Sequence, residues 1–154
     1  MTDVKKDYLD LTQLIERLHR RFLDVLRAEL GRMGVKELNA VQALLMSNIG
    51  TEEIAIRDLI ERGYYQGSNV SYNIKKLTDM GYLEQERSQH DRRSVTVRLT
   101  PKALEVVQRL HEAEDVNADA IINAGLSAED LSGCADILRK IERTWTDYIR
   151  YGGD

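Results

Sequence analysis

The chain has 154 residues, 42% hydrophobic and 31% charged, with one proline, ten glycines and one cysteine. This composition supports a packed core and excludes a disordered or low-complexity chain. A formal net charge of −4 excludes a protein that binds polyanions over its whole surface, no apolar run approaches the about 18 residues of a membrane span, and the opening MTDVKKDYLD lacks the apolar stretch of a signal peptide.

The first predicted element is a long helix from Asp7 to Arg32. Leu11, Leu14, Ile15, Leu18, Phe22, Val25, Leu26 and Leu30 recur there at three- and four-residue steps, and Gly31 and Gly34 close it. Asn39 to Ile49 reads as a second helix, apolar at Val41, Leu44, Leu45 and Ile49 and stopped by Gly50. Ile54 to Arg62 has two readings: a helix capped by Thr51, or a brief strand over Ile54-Ala55-Ile56 followed by a helix. The next helix spans 68–80, with Ser68 as its N-cap, Gly81 just past its end, and Val70, Ile74 and Leu77 as one buried stripe. Two strands follow, Tyr82 to Arg87 and Val95 to Leu99. In the second, Val95, Val97 and Leu99 alternate with polar residues, the period of a half-buried strand. Thr100-Pro101 opens a helix to about Ala124, and Ser127 with Asp130 opens the last one. The first and the last two helices carry apolar positions on more than one face, so a partner surface is implied, most simply a second copy of the chain.

Charge is unevenly spread. Between Tyr64 and Arg98, Lys75, Lys76, Arg87, Arg92, Arg93 and Arg98 exceed the acids by two; from Pro101 onward acids exceed bases by five. On the helix 68–80, the face opposite the apolar stripe holds Ser68, Asn69, Ser71, Tyr72, Lys75 and Lys76, with no carboxylate before Asp79. Asn can bond adenine edges, Lys guanine or phosphate, and Tyr phosphate through its hydroxyl. An ordinary solvated helix face is the blander explanation, but the preceding helix ends a few residues earlier, at helix-turn-helix spacing. The loop SQHDRRS between the strands puts Arg92 and Arg93 together at a hairpin tip. A guanidinium suits a narrow minor groove, and Asp91 is placed to hold Arg93 outward; surface arginines kept for solubility are the alternative.

DRRSVTVRLT, from Asp91 to Thr100, resembles the wing signature D-x-R-x-x-x-V-x-L-T of MarR-type winged helix-turn-helix regulators, matching at Asp91, Arg93, Val97, Leu99 and Thr100. VSYNIKKLTDMGYL resembles the recognition helix of that family, and the element order matches nearly the whole chain. The wording GSNVSYNIKKL resembles an alphaproteobacterial branch tied to cell-envelope and stress control. The resemblance implies a mainly α (α+β) fold: a winged helix-turn-helix lobe over 37–100, and a helical dimerisation region built from N- and C-terminal helices, 7–34 and 101–150. It implies a cytoplasmic homodimer that binds a near-palindromic double-stranded DNA operator, a repressor released by a small aromatic or phenolic ligand. Ser68, Asn69, Ser71, Tyr72, Lys75 and Lys76 would then read or anchor the major groove. Arg93, oriented by Asp91, would enter the minor groove, with Arg92 near phosphate. The stretch RGYYQGSN departs from the family pattern at Tyr64, Tyr65 and Gln66, which leaves the turn and the base-reading residues open, although Tyr65 can still fill the core position.

Candidate ligand-lining residues are His19, Phe22, Met33, Val41, Leu45, Met46 and Tyr64, each also readable as plain core. Cys134 has no basic neighbour in sequence and reads as a buried, inert thiol, with redox sensing as the alternative. His19, His90 and His111 lack metal-ligand spacing, and no catalytic motif or cofactor loop is present, so no metal, cofactor or enzyme activity is expected. A winged helix used only for protein contact remains the competing function.

Overall fold

Helix α1 (Asp3–Arg32) begins four residues before the expected start at Asp7, in this computed structural model, which describes residues 2–63, 65–89 and 94–152. The early start has a local cause. The carbonyl of Thr2 accepts from the N–H groups of Lys5 and Lys6 at 3.1 and 3.2 Å, and Asp3 sits in the first turn, where a carboxylate complements the positive end of the helix. Helix α2 (Ala40–Ile49) is opened by Asn39. Its side chain accepts from the Gln42 N–H at 2.8 Å while Gln42 Oε1 accepts from the Asn39 N–H at 3.1 Å, a reciprocal cap.

The ambiguous segment resolves as strand then helix: β1 (Ile54–Ala55) and α3 (Ile56–Gly63). Helix α4 (Gly67–Asp79) follows, then β2 (Leu83–Arg87), β3 (Val95–Leu99), α5 (Pro101–Asn123) and α6 (Ala128–Tyr151). Ser68 is not the N-cap of α4. Gln66 holds that position, with no side-chain cap bond, and its carbonyl accepts from the Val70 N–H at 3.1 Å, so Ser68 lies inside the first turn. The sheet has the antiparallel order β1-β3-β2, with Ile54 opposite Val97 and Leu83 opposite Leu99. Ile54, Leu83, Val97 and Leu99 are buried, whereas Glu84, Glu86 and Arg98 are exposed.

Residues 1–113 form one compact unit and 114–154 another. The core of the first joins Leu26 and Leu30 of α1, Leu45 and Met46 of α2, Leu59 of α3, Val70, Ile74 and Leu77 of α4, and Ala103, Val107 and Leu110 of α5. Each large aliphatic side chain buried there contributes about 1.5–3 kcal/mol. Earlier in α1, Leu23 packs partly buried against this core, whereas Leu9, Leu14, Leu18, Phe22 and Val25 are exposed.

The second unit comprises the end of α5, the turn at Gly125, whose φ is +96°, and α6. Ser127 and Asp130 cap α6 reciprocally at 3.1 and 2.9 Å, and the Ser127 backbone and hydroxyl hold the Asp130 carboxyl below the usual carboxylate range. None of its described residues is buried, and Val116, Ile122, Ile137, Tyr148 and Ile149 are all more than half exposed. This corrects the expectation for Cys134, whose thiol is exposed because α6 buries no residue.

Candidate nucleic-acid interface

The turn between α3 and α4 is built on Tyr65. Its N–H donates to the Ile60 carbonyl at 3.2 Å, closing α3, and its ring packs against the core and over Gly63, where any Cβ would overlap it. Its hydroxyl accepts from the Asn48 side-chain amide at the end of α2. Tyr65 therefore does fill the core position; Tyr64 lies outside the described residues.

From that turn α4 presents two faces. Val70, Ile74 and Leu77 are at most 2% exposed. Ser68, Asn69, Ser71, Tyr72, Lys75 and Lys76 are all exposed on the other side, so the six candidate groove residues share one free-facing surface. Lys76 Nζ stands 5.7 Å from the centroid of the Tyr72 ring, a cation–π arrangement that pre-orders both side chains. Beside this pair, a cleft of about 360 Å³ is lined by Lys36, Leu38, Asn39, Gln42 and Met80 among others. Asn73, which the sequence did not single out, is half-buried. Its amide donates to the Asn69 carbonyl at 3.0 Å, and its Oδ1 accepts from Gln42 Nε2 at 3.4 Å.

The exit of α4 is equally constrained. Thr78 Oγ1 donates to the Ile74 carbonyl at 2.7 Å and accepts from Gln85 Nε2 at 2.9 Å. Gly81, at φ +82°, lets the Tyr82 N–H reach back to the Leu77 carbonyl at 2.9 Å. The phenol of Tyr82, 2% exposed, donates to Glu37 Oε1 at 2.5 Å. Burial first, then the Glu37 carboxylate, push that phenol up to about 12, and the Tyr82 hydrogen bond holds the Glu37 carboxyl below its ordinary value.

In the hairpin, the Ser88 N–H donates to the Ser94 carbonyl at 2.9 Å. His90, Asp91, Arg92 and Arg93 lie outside the described residues. Arg98, counted among the basic residues of the sequence, faces acids instead. Its Nε and terminal nitrogen each stand 2.8 Å from Glu84 Oε2, and Glu84, Glu53 and Glu86 together raise its pKa. That side of the sheet forms a cleft of about 330 Å³ lined by Glu53, Glu84, Gln85, Glu86 and Arg98, an acidic surface unsuited to phosphate.

The candidate ligand residues differ in burial, and Tyr64 among them lies outside the described residues. Leu45 and Met46 are core side chains, Met33 is half-buried, and His19, Phe22 and Val41 are exposed. Neither of the two clefts is lined by any of them. Among the described residues no three or more His, Cys, Asp or Glu side chains cluster to hold a metal, and no helix is long and apolar enough to cross a membrane.

Residues 38–103 match the family model of a winged helix DNA-binding domain. The exopolysaccharide II synthesis transcriptional activator ExpG of Rhizobium meliloti is 34% identical over 145 residues, 94% of this chain and 75% of that protein. AbsC, a MarR family transcriptional regulator from Streptomyces coelicolor, shares the fold at TM-score 0.76 and 19% identity, over 95% of this chain and 97% of that one. A mutant MarR from E. coli complexed with operator DNA does so at TM-score 0.72 and 18% identity, over 91% and 99%.

Proposed function

Because this chain belongs to the MarR family of winged helix-turn-helix transcriptional regulators, we propose that it is a homodimer that binds a near-palindromic double-stranded DNA operator. In each subunit α4 enters the major groove and the wing over 88–94 enters the minor groove. The observation that carries this reading is the face of α4: six polar or basic side chains exposed together, opposite three that are buried. Ser68, Asn69 and Ser71 read base edges from the first turns. Tyr72, Lys75 and Lys76 anchor phosphate or guanine. Arg93, oriented by Asp91, reaches the minor groove, and Arg92 sits near phosphate.

The helices over 7–34 and 101–150 make the dimer, and 37–100 is the DNA-binding lobe. Support comes from apolar side chains left uncovered within one chain, Leu14, Leu18 and Phe22 on α1 and Ile137, Tyr148 and Ile149 on α6. Release by a small aromatic ligand belongs to the same proposal. Phe22, Val41 and His19 offer exposed surface that a second copy would enclose. Access to DNA places the protein in the cytoplasm.

Repression and activation differ only in where the operator lies relative to a promoter. A relative named as an activator of exopolysaccharide synthesis favours activation as the second reading, and makes exopolysaccharide-synthesis promoters the first to test. Footprinting on the chain's own upstream DNA, with and without simple phenols, tests site, symmetry and response together. Two protected half-sites about 10 base pairs apart are expected; a uniform or absent footprint contradicts the reading.

A further inference from the structure

At the exit of α4 one ammonium group touches several segments at once. Lys102 Nζ donates to the Met80 carbonyl at 2.9 Å, lies 4.3 Å from the centroid of the Tyr82 ring, and stands 3.6 Å from Glu37 Oε1. The neighbouring bonds run between the same segments. Thr100 Oγ1 donates to the Gly81 carbonyl at 2.7 Å, and the Thr100 N–H donates to the Tyr82 carbonyl at 3.0 Å. Residues 80–82, where α4 ends, are thus bonded one after another to Thr100 and Lys102, where α5 begins.

The placement of Lys102 is unfavourable to its own helix. It sits in the first turn of α5, at the positive end of the macrodipole, where an acid would be preferred; that turn contains no acid. The same ammonium lies at the negative end of α4, where a cation is favoured. Its electrostatic benefit therefore falls on the recognition helix and on Glu37, which in turn receives the Tyr82 phenol.

We infer that Lys102 is a positioning residue for DNA recognition: by joining the exit of α4, the Tyr82 ring and Glu37, it fixes the angle at which α4 is presented to the groove. This rests on the α4 reading given above. Lys102 acts through helix geometry and touches no phosphate, so its loss weakens specific binding by removing pre-organisation. Non-specific binding, set by cations along the phosphate backbone, stays the same.

The experiment compares full-length wild type, Lys102→Met, Lys102→Arg and Glu37→Gln. The readouts are affinity for the footprinted operator and for an unrelated duplex, each across a salt series, with thermal melting alongside. Methionine keeps the apolar stem over the Tyr82 ring; arginine keeps the cation. Lys102→Met is expected to bind operator about tenfold more weakly, about threefold per half-site. Its salt slope and its affinity for unrelated DNA should match wild type, and Lys102→Arg should recover most of the loss. Glu37→Gln should show a smaller loss of the same kind. Unchanged operator affinity in Lys102→Met overturns the inference. So does a salt slope lower by about two, the mark of a phosphate released by each subunit, or an equal loss on both duplexes. If Lys102→Met does not fold, Glu37→Gln decides by the same criteria. If wild type binds no duplex, the functional reading falls and this role with it; if wild type binds and Lys102→Met binds equally, only this role falls.

Discussion

Gln42 and Asn73 meet side chain to side chain at 3.4 Å, although 31 positions separate them in the chain. Gln42 is the one buried polar residue among those described, 6% exposed, and its two ends have different partners. The carbonyl oxygen caps α2 through Asn39, and the amide reaches α4. Replacing it with alanine, Gln42→Ala, removes both and leaves the Asn39 N–H without its acceptor. A loss of about 1–2 kcal/mol is expected in urea unfolding, with weaker operator binding from a less constrained α4. Unfolding midpoints equal to wild type would contradict this.

Gly63 carries a second prediction. Its backbone φ is ordinary, so the constraint is space, because the Tyr65 ring occupies the position of a side chain. Gly63→Ala should destabilise by about 1–3 kcal/mol through overpacking. In a Tyr65→Ala background the same glycine change should cost less, since the overlap is gone, and thermal melting of both single variants and the double variant measures that coupling.

Much of this architecture is legible in the sequence, because it rests on local signals. The i, i+4, i+7 spacing of Val70, Ile74 and Leu77 and the alternation at Val95–Leu99 specify α4 and β3 directly. Thr100-Pro101 and Ser127 with Asp130 mark the starts of α5 and α6. The strand β1 is ambiguous because two residues carry no period; only the pairing of Ile54 with Val97 and of Ala55 with Thr96 defines it. Ser68 reads as a cap because a serine stands before an apolar stripe, while Gln66 and Gly67 supply the start through backbone alone. The Asn39–Gln42 cap could have been read from its three-residue spacing. Gln42 with Asn73, Glu37 with Tyr82 and Lys102, and Arg98 with Glu84 are long-range pairs, with no mark in the local sequence. For that reason net charge alone counts Arg98 as available to DNA.

The Tyr82–Glu37 bond gives stability a defined pH dependence. The Tyr82 phenol has a folded pKa of about 12, raised from 10.0. Its contribution is fully present below about pH 10 and is lost as pH rises toward 12. Glu37 is shifted the other way. Its contribution is present above the ordinary carboxylate range and is lost as pH falls through the lowered folded value. Tyr82→Phe should melt below wild type at pH 8, and the gap between the two should shrink between pH 10 and 12. A gap that stays constant over that window would rule out the phenol as its source.

The uncovered apolar side chains make a prediction about assembly. Leu18 is 62% and Ile149 81% exposed within one chain. Aspartate at either place should cost the isolated subunit little, within about 0.5 kcal/mol, while burying a charge in the dimer. Sedimentation equilibrium should give a dimer for wild type and a shift toward monomer for Leu18→Asp and Ile149→Asp. A wild type that sediments as a monomer at micromolar concentration would refute the assembly.

The most direct measurement is equilibrium binding of wild type and of the double variant Lys75→Ala/Lys76→Ala to the footprinted operator across a salt series. Wild type should bind with log affinity falling steeply against log salt. The double variant should bind more weakly with a shallower slope, by about one for each phosphate that is no longer neutralised. Binding that is indifferent to salt, or a slope that these two lysines leave untouched, would contradict the placement of the exposed face of α4 against DNA.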